Sequence, residues 1–434
     1  MESYRSHYSL DVQKKDFGKI IVVSGWVEDV RNIGSIAFVI LRDRKGTLQV
    51  TVLKKQNTKL FDQLVNISRE SVIAVKGLCK ESDKARNGYE VIPEEVEVLS
   101  LAETPLPLGV VDKVESELDT RLDNRFIDLR KPDVQAVFKI RNKVISAVHE
   151  YLRKQDFIEV HTPNIIASSS EGGTDVFRLK YFEKEAFLAQ SPQLYKQNLM
   201  ATGLDRVYEI ACYFRAEEHN TRRHLNESTA VDLEMAFISS EEDVMKILEG
   251  LVSFMWKKAG ECKEELNILN KKITAPKSPF KRLKYDDVIK ILNKNGSEIK
   301  WGDDLGTEEE KLLGDIMKKQ GCEFYFITKY PIEAKPFYTM PDGKLSRGFD
   351  LECKGVELAS GSQRIHDVKL LKERLKACDL NPKDFEHYLK GFRYGMPPHG
   401  GFGFGIERFL MELLDIKNIR EVILYPRDRT RLTP

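Results

Sequence analysis

Five short stretches that alternate apolar and polar residues fill the first hundred positions, and one helical stretch interrupts them between the third and the fourth. The stretches are 20–27 (around Gly25), 36–41, 46–54, 71–77 and 89–99. Turn formers separate them, at Asn32-Ile33-Gly34, Asp43-Arg44-Lys45-Gly46 and Asn87-Gly88, where the backbone can reverse between strands. Residues 60–68 are polar and partly helical in spacing. A period of two buries one face of a strand, so short strands of this kind close on one another. Three strands, a helix and two more strands is the order of an OB-fold, a small Greek-key barrel that often holds single-stranded nucleic acid.

With 434 residues the chain has room for two or three domains. Residues 101–135 mix Pro105, Pro107 and Pro132 with charge and show little periodicity. They divide the chain into a barrel over 1–102, a linker or hinge over 103–134 and a second domain over 135–434. From 135 to 155 the spacing turns helical, with Val137, Ile140, Val144, Val148 and Leu152 on one face. An extended piece, 157–162, then runs into Pro163. Strands rich in aromatic and β-branched residues follow, interleaved with helices over 242–261 and 285–294. A Gly-rich stretch, 397–405, leads into an apolar helix over 406–414. The expectation is a multidomain chain whose larger part is an α+β domain on an antiparallel sheet.

Composition excludes several classes. The net charge is +1, so any nucleic-acid contact must rest on local charge and not on a global basic field. No stretch approaches the ~18 apolar residues of a membrane helix, and residues 1–11 carry no signal-peptide pattern. Six cysteines are scattered without a C-x-x-C pair, which argues against structural zinc and against a disulfide framework. A cytoplasmic protein with reduced thiols, and no membrane partner, is expected.

Three stretches carry chemistry. Residues 214–227 lie between two strands and place Arg215 at a strand end, acidic Glu217 and Glu218 after it, and Arg222 and Arg223 further on. The planar fork of arginine grips phosphate or carboxylate at two points, which suits a triphosphate on an open sheet. Residues 400–405, Gly-Gly-Phe-Gly-Phe-Gly, let a ligand approach the backbone, with Arg408 one turn into the next helix. No G-K-[ST] follows, so this is not a Walker loop. Between them, Glu357 suits Mg²⁺, a hard cation usually held by one or two carboxylates plus substrate phosphates. Arg364 suits a substrate carboxylate, and His366 reads equally as a general base or as part of a charged turn.

These stretches resemble motif 2, the metal-binding approach to motif 3, and motif 3 of the class II aminoacyl-tRNA synthetases. Residues 157–163 resemble motif 1, whose proline, here Pro163, lies at the dimer interface in that family. The N-terminal barrel is similar to that of the aspartate, asparagine and lysine subgroup, most of all the aspartyl-tRNA synthetases of archaeal and eukaryotic type. The similarity covers essentially the whole chain, down to Tyr425-Pro426-Arg427-Asp428 and Arg431-Leu432-Thr433-Pro434. The resemblance implies ATP-dependent formation of aspartyl-adenylate and transfer of aspartate to the 3′ end of tRNA, by a homodimer using Mg²⁺.

Residues 170–174 and 190–197 look like that family's substrate loop and binding strand. By resemblance, Glu171 meets the α-ammonium of L-aspartate and Gln193 adds polar contacts. Lys196 and Arg364 face the side-chain carboxylate, and Arg215 touches both the α-carboxylate and the α-phosphate. Ser360 belongs to the aspartate pocket and, with Glu357, to the metal. Arg215, Ala216, Glu217, Arg223, His224 and Leu225 approach ATP from one side, and Glu357, Gly405, Ile406, Glu407 and Arg408 from the other. Two cations aimed at one carboxylate would favour aspartate over neutral asparagine, which would leave them under-paired. Phe214 or Phe404 either stacks on the adenine or fills the core. Asp232 and Glu234 either support the substrate pocket or pair structurally.

Across residues 1–102 there are 16 Lys and Arg against 14 Asp and Glu, so the barrel must read RNA by stacking and base edges. Phe38 is the candidate for stacking on an anticodon base, and Gln49 for hydrogen bonding to a base edge. Arg31 is the candidate for a base or phosphate contact. Trp26 either narrows the pocket for the third anticodon base, excluding tRNA(Asn), or fills the barrel. The tRNA partner is therefore tRNA(Asp), with tRNA(Asn) left open.

Overall fold

The computed structural model describes residues 1–434 except 2, 112–115, 168–174 and 219–220. Two compact units divide the chain, Met1–Asn124 and Arg125–Pro434.

The first unit is a closed five-stranded barrel of β1 (Ile20–Asn32), β2 (Ile36–Arg42), β3 (Thr47–Leu53), β4 (Val72–Glu81) and β5 (Tyr89–Ser100), in the order β1-β2-β3-β5-β4. The helix α1 (Thr58–Val65) sits between β3 and β4, capped by the Asn57 side chain on the Leu60 amide. β3 and β5 close the barrel in parallel, through Gln49 opposite Glu90 and Val50 opposite Val91. Val23, Val27, Ala37, Val39, Val50 and Val75 fill the interior, one side chain from every second position as the strand period demands. β1 runs five residues past the expected end at Val27. A bulge between Val27 and Asp29 restores the alternation beyond Glu28, so a charged pair does not end the strand.

The second unit is built on an eight-stranded sheet. In chain order its strands are β6 (Ile158–Glu159), β7 (Arg206–Phe214), β8 (Glu227–Ala236), β9 (Lys281–Lys284), β10 (Phe324–Thr328), β11 (Gly348–Cys353), β12 (Val356–Gln363) and β13 (His399–Gly405). The spatial order is β9-β10-β11-β12-β13-β8-β7-β6. The six central strands are antiparallel, as expected, but the outer pairs β9·β10 and β6·β7 are parallel. The sheet is therefore mixed. Both edge strands are very short and are reached by crossover connections, which period-two patterning cannot reveal.

Helices α2 (Pro132–Lys154) and α3 (Glu241–Ala259) cover one face. Ile140, Val144 and Val148 of α2 and Leu248, Val252 and Met255 of α3 share one core with Val231, Leu233, Phe402 and Phe404 of the sheet. The helix expected over 135–155 thus begins three residues earlier, at Pro132, whose fixed φ suits a first helical turn. The proposed linker is also partly helical, over Leu118–Asp123 and Arg125–Asp128. Arg125 and Asp128 are buried and paired at 2.7 Å. A buried ion pair leaves no apolar stripe, so these turns carried no helical signal in the sequence.

Alternation on the sheet divides core from cleft. On β8, Val231, Leu233 and Met235 enter the core while Asp232 and Glu234 face the other way. On β13, Phe402 and Phe404 enter the core and Gly401, Gly403 and Gly405 turn to the opposite side. A Cβ at Gly401 would stand 2.0 Å from the Leu233 carbonyl oxygen and 2.2 Å from Glu234 Oε2, so the Glu234 carboxylate needs a glycine beside it. A bulge between β11 and β12, at Leu351/Glu352, brings Glu357 and Ser360 to the same side although they are three residues apart.

Candidate active site

On the face away from α2 and α3 lies a cleft of about 380 Å³. Arg215, Glu217, Arg223, His224 and Leu225 line one wall, Glu357, Ser360, Gly405, Glu407 and Arg408 another, and Gln193, Asp232, Ser362 and Arg364 the deep end. Thirteen positions singled out from the sequence therefore meet at one cleft.

The deep end is a network of buried charge. Arg364 donates through Nε and Nη2 to Glu234 Oε1 at 3.0 Å and Oε2 at 3.3 Å, and through Nη1 to Ser362 Oγ at 2.6 Å. Its guanidinium stacks 5.2 Å from the Tyr338 ring centroid. Lys196 Nζ pairs with Asp232 Oδ1 at 2.8 Å and Glu234 Oε2 at 3.5 Å, and donates to the Phe402 carbonyl at 3.0 Å. Burial alone would push the Glu234 carboxyl up, but the Arg364 and Lys196 charges hold it below its usual range. Tyr213 donates a short hydrogen bond to Asp232. Asp232 and Glu234 thus orient the two cations.

This changes the expected basis of specificity. Lys196 is not among the residues lining the cleft. Its side chain is 3% exposed, and its charge is met from within the protein. Two buried cations face two buried carboxylates, so the well is charge-balanced and the premise of two under-paired cations does not hold. The sequence singles out both cations, by resemblance, and both acids, as pocket supports or structural pairs, but not which acid holds which cation, because the acids come from another strand. Gln193 lines the deep end, with a buried Nε2 that has no hydrogen-bond partner among the described residues.

At the other end Arg215 follows the last residue of β7. Its side chain is 44% exposed and lies 3.8 Å from Glu217 Oε1. The hairpin is pinned by Asn226, which donates to the Arg215 and Glu217 carbonyls. Arg223 pairs with Glu310 at 3.7 Å, and His224 bonds Thr221 through Nδ1. Arg408 donates to the Glu357 backbone carbonyl at 3.0 Å, which aims its guanidinium along the cleft.

Three of the nucleotide candidates have partners or packing of their own within the protein. Ile406 is fully buried in the hydrophobic core, and Ala216 turns its amide to the Asp175 carbonyl. Glu407 is 2% exposed, accepting from Arg141 at 2.8 Å and from the Thr229 amide at 3.1 Å. It locks the helix Ile406–Leu414 to β8 and α2. Phe404 is core, packed on Phe409, and Phe214 does not line the cleft. Glu171 and its loop lie outside the described residues.

Several residues escaped sequence reasoning. Asp350 of β11 lies opposite Ser360 and close enough to Glu357 to raise that carboxyl, after burial itself. Asp350 Oδ1 is buried with no hydrogen-bond partner among the described residues, an orphaned acceptor beside a second carboxylate. Hard oxygen donors in this arrangement fit a divalent cation completed by phosphates. No cluster of three or more candidate ligands occurs among the described residues, so substrate oxygens would have to complete it. Two acidic residues, Asp350 and Glu352, inside the strand 348–353 were the available signal.

Glu310 is another. Burial, then neighbouring Glu357, pushes its carboxyl up to about 7 against the opposing charges of Arg408 and Arg223. Its folded value lies above the ordinary 4.5, so its contribution to stability is fully present below about pH 4.5 and is lost as pH rises through about 7. Glu310→Gln should therefore raise stability by about 1–3 kcal/mol near pH 8 and leave it unchanged near pH 4.5. Thermal melts at the two pH values check this, and equal shifts at both would refute the assignment.

On the barrel, register places the four anticodon candidates on the outer face. Arg31 lies opposite Phe38, Phe38 opposite Thr51, Ile40 opposite Gln49, and Trp26 opposite Arg42. Phe38 and Trp26 are half-buried, and Arg31 is exposed and pairs with Asp29. Gln49 Nε2 donates to Glu90 Oε2 at 3.1 Å. Trp26 does not fill the barrel interior, because Val27 does. Pro163 is exposed.

Comparison with known proteins agrees with this geometry. The sequence model of tRNA synthetases class II (D, K and N) matches residues 117–429, and that of the OB-fold nucleic acid binding domain matches 21–99. The aspartate–tRNA(Asp) ligase of Pyrococcus horikoshii is 55% identical over 436 residues, 99% of this chain and 100% of the relative. The aspartate–tRNA(Asp/Asn) ligase of Methanocaldococcus jannaschii is 51% identical over 439 residues, 100% of this chain and 99% of the relative. Among solved structures, asparaginyl-tRNA synthetase from Pyrococcus horikoshii complexed with asparaginyl-adenylate superposes with a TM-score of 0.92 at 34% identity, covering 99% of each chain. Aspartyl-tRNA synthetase from Entamoeba histolytica gives 0.84 at 33% identity, over 97% of this chain and 91% of that one. With both units matched from end to end, the chain belongs to the class II tRNA synthetases of the aspartate, lysine and asparagine group and, within it, to the aspartate–tRNA ligases.

Proposed function

We propose that the cleft activates L-aspartate with ATP and Mg²⁺ and that the barrel selects the tRNA that receives it. One observation carries this reading. A buried, bidentate-capable guanidinium, Arg364, closes one end of a cleft whose other end presents Arg215 and Arg408, so a carboxylate and a polyphosphate are met by one surface.

The aspartate α-carboxylate attacks the α-phosphorus of ATP in line, and pyrophosphate leaves. No enzymic nucleophile takes part. The chain contributes position and charge: Arg215 at the α-phosphate, Arg408 at the far phosphates, and Arg364 with Ser362 at the substrate side chain. Glu171 serves the α-ammonium and Gln193 supplies its spare amide donor. Glu357, Ser360 and, added by the fold, Asp350 would hold Mg²⁺, which supplies charge neutralisation at the phosphates. The 3′-hydroxyl of the tRNA terminal adenosine then attacks the adenylate carbonyl, the acyl–phosphate bond breaks, and AMP leaves. Pyrophosphate exchange into ATP tests the first half, and a well-folded protein without aspartate-dependent exchange would refute it.

For the acceptor, the strict tRNA(Asp) reading leads. Trp26 places a large ring on the outer face of the barrel, and the relative that is 55% identical is named for tRNA(Asp). The Methanocaldococcus relative, named for tRNA(Asp/Asn), carries the alternative. Charging both transcripts with labelled aspartate is expected to favour tRNA(Asp) strongly, and comparable rates would overturn the strict reading.

The assembly read here is a homodimer through the neighbourhood of Pro163. The edge strand β6 exposes Ile158 at 47%, and Ile165 is 50% exposed nearby in sequence, surface that a second copy would cover. A fully active monomeric mass in solution would contradict it. The six cysteines are all unpaired, in keeping with a cytoplasmic protein. No helix of the described residues is long and apolar enough to cross a membrane.

A further inference from the structure

Residues 335–339 run along the cleft and touch both of its ends. At one end Lys335 Nζ lies 2.6 Å from Asp350 Oδ2, with each side chain 10% exposed. The same ammonium stands 3.8 Å from the centroid of the Tyr330 ring. At the other end Tyr338 stacks on Arg364, and the Thr339 backbone bridges to Arg364. The charge of Lys335 reaches Glu357 as well, opposing the burial and the Asp350 charge that raise it.

Two neighbouring carboxylates in a sheltered cleft repel one another and are costly to keep ionised without a cation. Lys335 is the cation paired directly with Asp350, while Arg408, Lys335 and Arg215 all act on Glu357. Lys335 is tethered, so it acts at high effective concentration and any ion arriving from solution must compete with it. A free divalent cation gains two carboxylates but has to displace an ammonium that has no other partner waiting. ATP changes this balance, because its phosphates bring the metal and give Lys335 new anionic partners in the same cleft.

We propose that Lys335 is a resident counter-cation that holds the metal carboxylates in the nucleotide-free enzyme, so that the divalent ion is accepted with ATP and poorly without it. This rests on the reading of Asp350 and Glu357 as metal ligands given above. Lys335 is a positioning residue here: it acts through Asp350 and takes no part in bond making. Removing its charge should uncouple the metal from the nucleotide.

The test is Mn²⁺ binding to the full chain, followed by electron paramagnetic resonance without nucleotide. Lys335→Met is expected to tighten Mn²⁺ by about tenfold, in the range of ordinary coupling between two ligands, while Lys335→Arg keeps the parent affinity. Adding a non-hydrolysable ATP analogue should remove the difference between Lys335→Met and the parent. Equal affinities for Lys335→Met and the parent, with binding still lost on adding Asp350→Asn, would overturn the proposal and leave the metal reading intact. Mn²⁺ binding indifferent to Asp350→Asn would overturn the metal reading itself, and the proposal with it. Should Lys335→Met fold poorly, Lys335→Gln carries the same comparison.

Discussion

Arg364→Ala is expected to lower kcat/KM for aspartate in pyrophosphate exchange by at least about 10³-fold, equivalent to ~4 kcal/mol of lost transition-state stabilisation. The side chain is 4% exposed, and its guanidinium is held through Nε and Nη2 by Glu234 and through Nη1 by Ser362, which leaves one N–H on each terminal nitrogen for a substrate. Truncation removes the only cation among the cleft-lining residues at the deep end. It also leaves the Glu234 carboxylate with Lys196 alone, at 3.5 Å. Stranding one member of a buried pair typically costs about 3–5 kcal/mol, so the variant should melt well below the parent. The double variant Arg364→Ala/Glu234→Gln separates the two effects. Removing the stranded charge should restore part of the stability and none of the exchange. Recovery of exchange in the double variant would show that Arg364 matters to the fold and not to the substrate.

How much of this site was legible in the sequence follows from where its parts lie along the chain. The motif arginines, Glu357 and the glycine strand each sit in a contiguous pattern with chemical meaning, so they could be picked out of the sequence, and the resemblance to a family gave them their roles. The Gly-Phe alternation of 400–405 even encodes which side is core, since Phe402 and Phe404 are fully buried and the glycines face the cleft. What stayed hidden were relations between strands distant in sequence. Glu234 meets Arg364 across 130 residues, and Glu407 meets Arg141 across 266, and no period of two or 3.6 carries such pairings. Lys196 shows the same limit: read as part of a binding strand, it stands on the helix Gln193–Leu199 and pairs with Asp232 of a distant strand. The barrel was read correctly in outline because its strands are consecutive. Its first strand was cut short because a bulge resembles a break in the alternation. The short parallel edge strands left almost no trace, being too brief to show a period.

Arg215→Ala should produce the opposite signature, loss of chemistry with little loss of stability. Its side chain is 44% exposed, and its ion pair with Glu217 is long, at 3.8 Å. Exposed pairs of this kind are worth about 0–1 kcal/mol, so the melting temperature should stay close to that of the parent. The transition state of adenylate formation concentrates negative charge at the α-phosphate, where a preorganised donor typically contributes about 10²–10³ in kcat. The expected result is therefore a fall of that size in the kcat of exchange, with smaller changes in KM for aspartate. Arg215→Lys keeps the charge but not the planar fork, and should recover only part of the loss, because one ammonium cannot bridge a carboxylate and a phosphate as a guanidinium does. Two outcomes would remove Arg215 from the reacting centre: a kcat within about threefold of the parent, or a drop in melting temperature as large as that of Arg364→Ala. The pair of variants thus tests the division the fold implies, between a buried arginine that binds the substrate and holds the sheet together and an exposed one whose work is confined to the reaction.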